Sequence, residues 1–196
     1  MFRCVGLLGR GALAPRALGL SRGPGVLRGM ADSSHLKLEK KAELVERLLA
    51  AKARSGKSFD QVAGEIGVTN AYAAQLFLNQ AQLRPGRVDL FRSALPEVSD
   101  EDVAAMQRCP YRSFDPSVQD EPLVYRLKEA VLHYGEGLKR VVNEKFGDGI
   151  MSAIDFYVTV DKAKGLQGED RVVVTFNGKY LAYNEQTTEG ADGGKR

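Results

Sequence analysis

The sequence predicts an α+β chain, an all-helical N-terminal bundle of helix-turn-helix, repressor-like organisation followed by a small helix-plus-antiparallel-sheet domain. Three observations carry this prediction. Between Leu36 and Met106 apolar residues recur at helical spacing, punctuated by glycines and by Ser and Thr at capping positions. From Pro122 onward one long amphipathic stretch runs to a glycine pair, Gly147 and Gly149. Beyond that pair, Ser152, Ile154, Phe156, Val158 and Val160 alternate with Ala153, Asp155, Tyr157 and Thr159, which is strand period.

In chain order, residues 1–29 contain arginines and no Asp or Glu, with Gly, Ala and Leu abundant. That is the composition of a mitochondrial transit peptide. The alternatives are a disordered extension, or an upstream start with Met30 as the true beginning, and a cytoplasmic protein. The helical domain is expected over residues 31–108. Leu38, Ala42, Val45, Leu48 and Leu49 form one stripe of a first helix, from Leu36 to Ala53. Ser58 followed by Gln61 forms a capping box for a second helix, Phe59 to Ile66, closed by Gly67. Thr69 or Asn70 caps a third, reaching about Ala81. Two short helices follow, from Arg87 to Leu95 and from Ser99 to Met106, split by Pro96. Residues 109–119, with Pro110 and Pro116, read as a linker.

The second domain is expected over residues 120–183. Asp120 and Glu121 before Pro122 suit a helix start, because acids favour the positive helix end and proline needs no N–H there. Leu123, Leu127, Tyr134, Leu138 and Val141 share one helix face, flanked by Val124, Val131 and Val142. After the first strand, Arg171 to Phe176 reads as a second, Asn177-Gly178 as a tight hairpin turn, and Lys179 to Tyr183 as a third. Three such strands cannot bury their own apolar face, so the sheet needs the long helix, a partner subunit, or both. Residues 184–196 read as a disordered tail.

Composition excludes several classes. No apolar run reaches the ~18 residues that span a bilayer. The two cysteines, Cys4 and Cys109, and the two histidines, His35 and His133, offer no metal-ligand spacing. No phosphate-loop or dinucleotide fingerprint occurs. The net charge of +3 comes from five arginines before Asp32; without them the chain carries −2, which argues against a nucleic-acid partner.

The helix-turn-helix arrangement still raises a second reading, a DNA-binding regulator. Asn70, Gln75, Asn79 and Gln80 supply amides suited to bases, but Thr69 to Gln80 contains no charge for phosphates. Its apolar residues, among them Tyr72, Leu76 and Phe77, spread around the helix, as expected of a helix shared between a core and a subunit contact.

On the long helix Arg126, Glu129, His133, Glu136 and Arg140 form a polar stripe. Helix pattern alone leaves two readings: a solvated face, or a site in which Arg126 is an anion-binding fork, Glu129 orients it and Ser152 donates a hydroxyl.

The segments YRLKE, HYGEGLKRVVNEKFGDGIMSAIDF and RVVVTFNGKYL, in that order, resemble the cyanase (cyanate hydratase) family, and the resemblance extends over about Leu36 to Tyr183. The block FGDGIMSAI is its most specific part. The resemblance implies an active site of an arginine, a glutamate three residues on and a serine after the glycine turn, which here are Arg126, Glu129 and Ser152. It implies bicarbonate-dependent decomposition of cyanate to ammonia and carbon dioxide through carbamate. Bicarbonate is then a co-substrate, and no metal or organic cofactor is used. It also implies a homodecamer of five dimers with sites between subunits. Lys128 departs from the family's usual aromatic residue and Ala182 from its usual proline.

Overall fold

The computed structural model describes residues 25–187, with side chains from Leu38 onward. Most of the expected leader, residues 1–24, and the tail from residue 188 lie outside the described residues. The chain divides into residues 1–39 and a compact unit of residues 40–196. Of the first, the opening part of helix α1 (Gly25–Ser55) is described. The helix begins upstream of the expected Leu36; no proline interrupts the sequence from Gly25 to Ser55.

Within the compact unit, α1 is followed by α2 (Phe59–Ile66), α3 (Asn70–Phe77), α4 (Val88–Ala94) and α5 (Asp100–Met106). The caps of α2 are those expected. Ser58 accepts from the Gln61 backbone while the Gln61 side chain accepts from the Ser58 N–H. Gly67 closes α2 at φ 68°, ψ 47°, a backbone that favours glycine. Thr69, one of the two residues expected for the role, caps α3, while Ser99, expected as the first residue of its helix, instead caps α5. The third helix stops at Phe77 rather than about Ala81, and Asn79 turns the chain at φ 46°.

The hydrophobic core lies in this bundle. Leu44 and Leu48 of α1, Val62 and Ile66 of α2, Leu76 and Phe77 of α3, Phe91 of α4 and Val103 and Met106 of α5 are all buried. Phe77 meets Phe59 edge-on at 5.6 Å and lies 5.9 Å from Phe91. The linker crosses this bundle on hydrogen bonds: Lys41 Nζ donates to the Tyr111 carbonyl at 3.0 Å, and Gln80 donates to the Ser113 carbonyl. At its end residues Pro116–Asp120 form a 3-10 turn, capped by Asp115, whose side chain accepts from the Ser117 N–H.

The C-terminal part contains α6 (Pro122–Phe146) and two strands, β1 (Gly149–Lys164) and β2 (Asp170–Ala182), paired antiparallel. Glu121 caps α6 by accepting from Val124 N–H. The expected three strands are two. Asn177 and Gly178 do not form a turn; they lie inside β2, opposite Tyr157 and Phe156. The chain reverses instead at residues 165–169, where Gly168 has φ 80°. Gly178 serves close approach rather than turning: a Cβ there would stand 2.5 Å from the Ser152 carbonyl oxygen and run into Met151 Cγ. No residue of α6 is buried, and its apolar face, including Leu123, Tyr134, Leu138 and Val141, is exposed.

Candidate active site

Arg126 and Glu129 stand one turn apart on α6. Arg126 Nη1 donates to Glu129 Oε2 at 2.6 Å, and the guanidinium lies 5.6 Å from the Tyr125 ring centroid. Both side chains are exposed, at 71% and 54%. In water such a pair contributes little to stability. Its consequence is geometric: one nitrogen of the guanidinium is fixed, and the remaining donors of the fork face outward.

Ser152 lies in a different environment, buried at 8% exposure near the start of β1. The strand register explains its position. Met151 pairs with Tyr180 and Phe156 with Gly178, so four residues of β1, 152–155, face one of β2. The bulge folds back on the serine, whose Oγ accepts from Ile154 N–H at 3.1 Å and Asp155 N–H at 3.0 Å. A hydroxyl has two acceptor positions and one proton. Both acceptor positions are occupied, so the remaining capacity of Ser152 is to donate. That suits an anion and opposes both nucleophilic attack and action as a base.

Lys139, which sequence reasoning did not single out, holds the turn leading to this serine. Its Nζ donates to the Gly149 carbonyl at 3.1 Å and reaches Asp148 Oδ1 at 3.4 Å. A lysine near a helix end is commonplace, and its spacing carried no signal of this contact. Phe146 stacks on Tyr180 at 5.3 Å, fixing the same turn to β2.

Within one chain no hydrogen bond among the described residues brings the three together. Arg126 precedes the end of α6 by about 30 Å at 1.5 Å per residue, and the six residues from Phe146 to Ser152 return at most about 21 Å, so the two Cα atoms stay at least about 9 Å apart. No hydrogen bond or ion pair joins Ser152 to either of the others among the described residues. A groove of about 950 Å³ lies between α3 and β1, lined by Tyr72, Gln75, Arg84, Arg87 and residues 153–158, and none of the three lines it. Among the described residues no group of His, Cys, Asp and Glu is suited to hold a metal ion.

Two of the four amides suited to bases, Asn70 and Gln80, are engaged elsewhere. Asn70 Nδ2 donates to Asp60 and to the Val160 carbonyl, both at 2.7 Å, and Gln80 binds the linker. Leu76 and Phe77 are in the core, while Tyr72 is partly exposed and donates to the Gln82 carbonyl at 3.1 Å.

A family model described as the cyanate lyase C-terminal domain matches residues 116–185, which include Arg126, Glu129 and Ser152. A cyanate hydratase of Arabidopsis thaliana is 55% identical over 150 residues, 76% of this chain and 89% of that one. This chain belongs to the cyanate hydratase family. Its likeness to other members is broad: a cyanate hydratase of Phaeodactylum tricornutum is 52% identical over 153 residues, 78% of this chain and 79% of the relative. One of Pseudomonas putida is 41% identical over 145 residues, 73% of this chain and 97% of the relative. The crystal structure of cyanase from T. urticae superposes with a TM-score of 0.62 at 29% identity, covering 72% of this chain and 98% of that one.

Proposed function

We propose that this cyanate hydratase family member decomposes cyanate, with bicarbonate as co-substrate, to ammonia and carbon dioxide by way of carbamate. The observation that carries the reading is the state of the family's site positions: an Arg126 fork held by Glu129, and a Ser152 hydroxyl able only to donate. Both substrates are small anions that repel each other. A guanidinium neutralises and aligns them, so that a bimolecular encounter becomes a held geometry. Glu129, while ionised, is a poor neighbour for an anion, and its task is to orient Arg126.

The uncovered apolar face of α6 supports a site completed by other copies of the chain, because it supplies a surface for them. The assembly we propose is a homodecamer of five dimers with sites between subunits. The reaction we propose uses no metal or organic cofactor, so dialysis against a chelator should leave turnover unchanged. For residues 1–29 we propose mitochondrial targeting, which a reporter fusion tests; a diffuse cytoplasmic reporter would reject it.

The deciding experiment is ammonia release from cyanate with and without bicarbonate, by the wild-type chain and by Arg126→Ala. Release should require bicarbonate and vanish in the variant, with the assembly intact. Arg126→Lys should fail as well, because a point charge lacks the planar fork. No release by the wild type, or full release by Arg126→Ala, would reject the reading.

A further inference from the structure

Ser152 follows the end of α6 closely. The helix stops at Phe146, residues 147–148 turn the chain, and β1 begins at Gly149. Gly149 and Ser152 are the two buried residues of that strand. Both acceptor positions of the Ser152 hydroxyl are filled by N–H groups of the bulge, so the direction of its one proton follows the backbone that carries it. Whatever fixes the glycine turn therefore aims the hydroxyl.

Tyr180 holds this turn from β2. Its backbone stands opposite Met151, the last regular pair before the bulge. Residues opposite each other share a face of the sheet, and Gly149, two residues before Met151, lies on that face as well. The Tyr180 ring occupies the space where any other residue at 149 would carry its side chain. A Cβ on Gly149 would stand 2.5 Å from Tyr180 Cε2 and 2.6 Å from Cζ. The same ring stacks on Phe146, with centroids 5.3 Å apart and planes 27° apart. Its hydroxyl lies beside Gly147, where a Cβ would be 3.7 Å away, and makes no hydrogen bond to a described residue. Lys139 closes the turn from the helix side through the Gly149 carbonyl.

One ring thus packs against the last residue of α6 and the first of β1. The family's site positions are divided between these two elements, Arg126 and Glu129 on α6 and Ser152 on β1. Whichever copies of the chain complete a site, each Arg126 and each Ser152 is carried by elements joined through this turn.

We propose that Tyr180 is a positioning residue for the reaction: its ring, packed against Phe146 and Gly149, fixes the glycine turn and so aims the Ser152 hydroxyl at a bound anion. The proposal rests on the bicarbonate-dependent reading above. Tyr180 acts through Ser152 rather than by contact with the anions. A displacement of about 1 Å in a positioning group can cost about 10²-fold in rate. The flat ring is the part of Tyr180 that these contacts use, and its hydroxyl is dispensable.

The test compares the full-length wild type with Tyr180→Leu and Tyr180→Phe. Ammonia release is measured with both anions varied, and hydrogen exchange is measured at the Ile154 and Asp155 amides. Those amides end on the Ser152 oxygen, so they report its placement independently of the reaction. Tyr180→Leu should lose about tenfold or more in kcat while KM for cyanate changes less than about twofold, because Arg126 still binds the anions. Its two amides should exchange faster with sedimentation unchanged, and Tyr180→Phe should restore both kcat and protection. In a Ser152→Ala background, Tyr180→Leu should cost the residual turnover nothing further, since no hydroxyl is left to aim. Wild-type kcat or unchanged amide exchange in Tyr180→Leu would overturn the proposal. So would a Tyr180→Phe chain as impaired as Tyr180→Leu, or an undiminished further loss in the Ser152→Ala background. Should Tyr180→Leu fail to assemble, Tyr180→Met, which keeps more of the volume without the flat ring, replaces it and is read against the same outcomes. A wild-type chain that releases no ammonia overturns the parent reading instead, and the amide exchange then still decides whether the ring holds Ser152.

Discussion

Asn70 pairs with Val160 as one strand pairs with another: its Nδ2 donates to the Val160 carbonyl at 2.7 Å, and its Oδ1 accepts from the Val160 N–H at 3.1 Å. One side chain at the start of α3 thereby takes the place of a strand residue beside β1. Among the described residues, these two hydrogen bonds tie α3 to the hairpin. Asn70→Ala removes both, and each is worth about 1 kcal/mol net where it is partly exposed to water. We expect faster hydrogen exchange at the Val160 amide and a Tm lowered by a few degrees, with the bundle's helical signal unchanged. Unchanged protection of that amide would show that the hairpin is held by other contacts.

Ser152 has a structural duty as well as a chemical one, because two backbone N–H groups of the bulge end on its oxygen. Ser152→Ala should therefore lower stability by about 1–3 kcal/mol, the cost of leaving buried donors unpaired, in addition to lowering turnover. Gly178→Ala provides the complementary case. It leaves the hydroxyl in place but drives a methyl group against the Ser152 carbonyl and Met151. Turnover should fall in both variants, measured as ammonia release beside thermal melts. A fully active Gly178→Ala chain would mean that the bulge tolerates a shift of β2.

The fate of Gly178 shows what the sequence left illegible. Asn-Gly between two apolar runs is a strong hairpin signal. Here the same glycine is required by a close approach across the sheet, and local pattern does not distinguish the two requirements. Ser58, Gly67 and Thr69 were legible because a cap is a local contract between residues three or four apart. Arg126 and Glu129 were legible as a pair for the same reason. The two N–H bonds to Ser152 depend on a bulge, and the bulge depends on cross-strand register, which neither alternation nor spacing reveals. The bonds of Lys139 to the glycine turn and of Asn70 to Val160 are likewise contacts across elements.

The buried end of the bundle carries a pH dependence. Arg47 donates from Nε and Nη2 to the carboxylate of Asp102, which is itself buried at the start of α5. The hydrogen bonds from Arg47 hold the Asp102 carboxyl below its ordinary value, with the Ser99 hydroxyl helping. A depressed carboxylate stabilises the fold fully above its unfolded pKa, near 3.9, and that stabilisation is lost as pH falls through the lower folded value. Acid melts of the wild type should thus lose stability below about pH 4. Asp102→Asn should start less stable at pH 7 and show a shallower decline over that acid range. Parallel decline in the two proteins would assign the acid transition to other carboxylates.

The long helix presents the last test. Its apolar stripe includes Tyr134, Leu138 and Val141, all exposed, and no residue of α6 is buried in the chain. A 25-residue helix with such a face is unusual on a monomer's surface. Covering one leucine side chain contributes about 1.5–3 kcal/mol. At about 1.4 kcal/mol per tenfold, its loss weakens each contact by at least tenfold. Leu138→Asp adds the cost of burying a carboxylate to that loss. The variant should sediment as smaller species than the wild type while its bundle stays folded by circular dichroism. Turnover should fall in step with the larger species, because the proposed site is completed by other copies of the chain. Arg126→Ala is the control, losing turnover without losing assembly. A Leu138→Asp chain that sediments and turns over like the wild type would show that this face is free, and that the site is completed within a single chain.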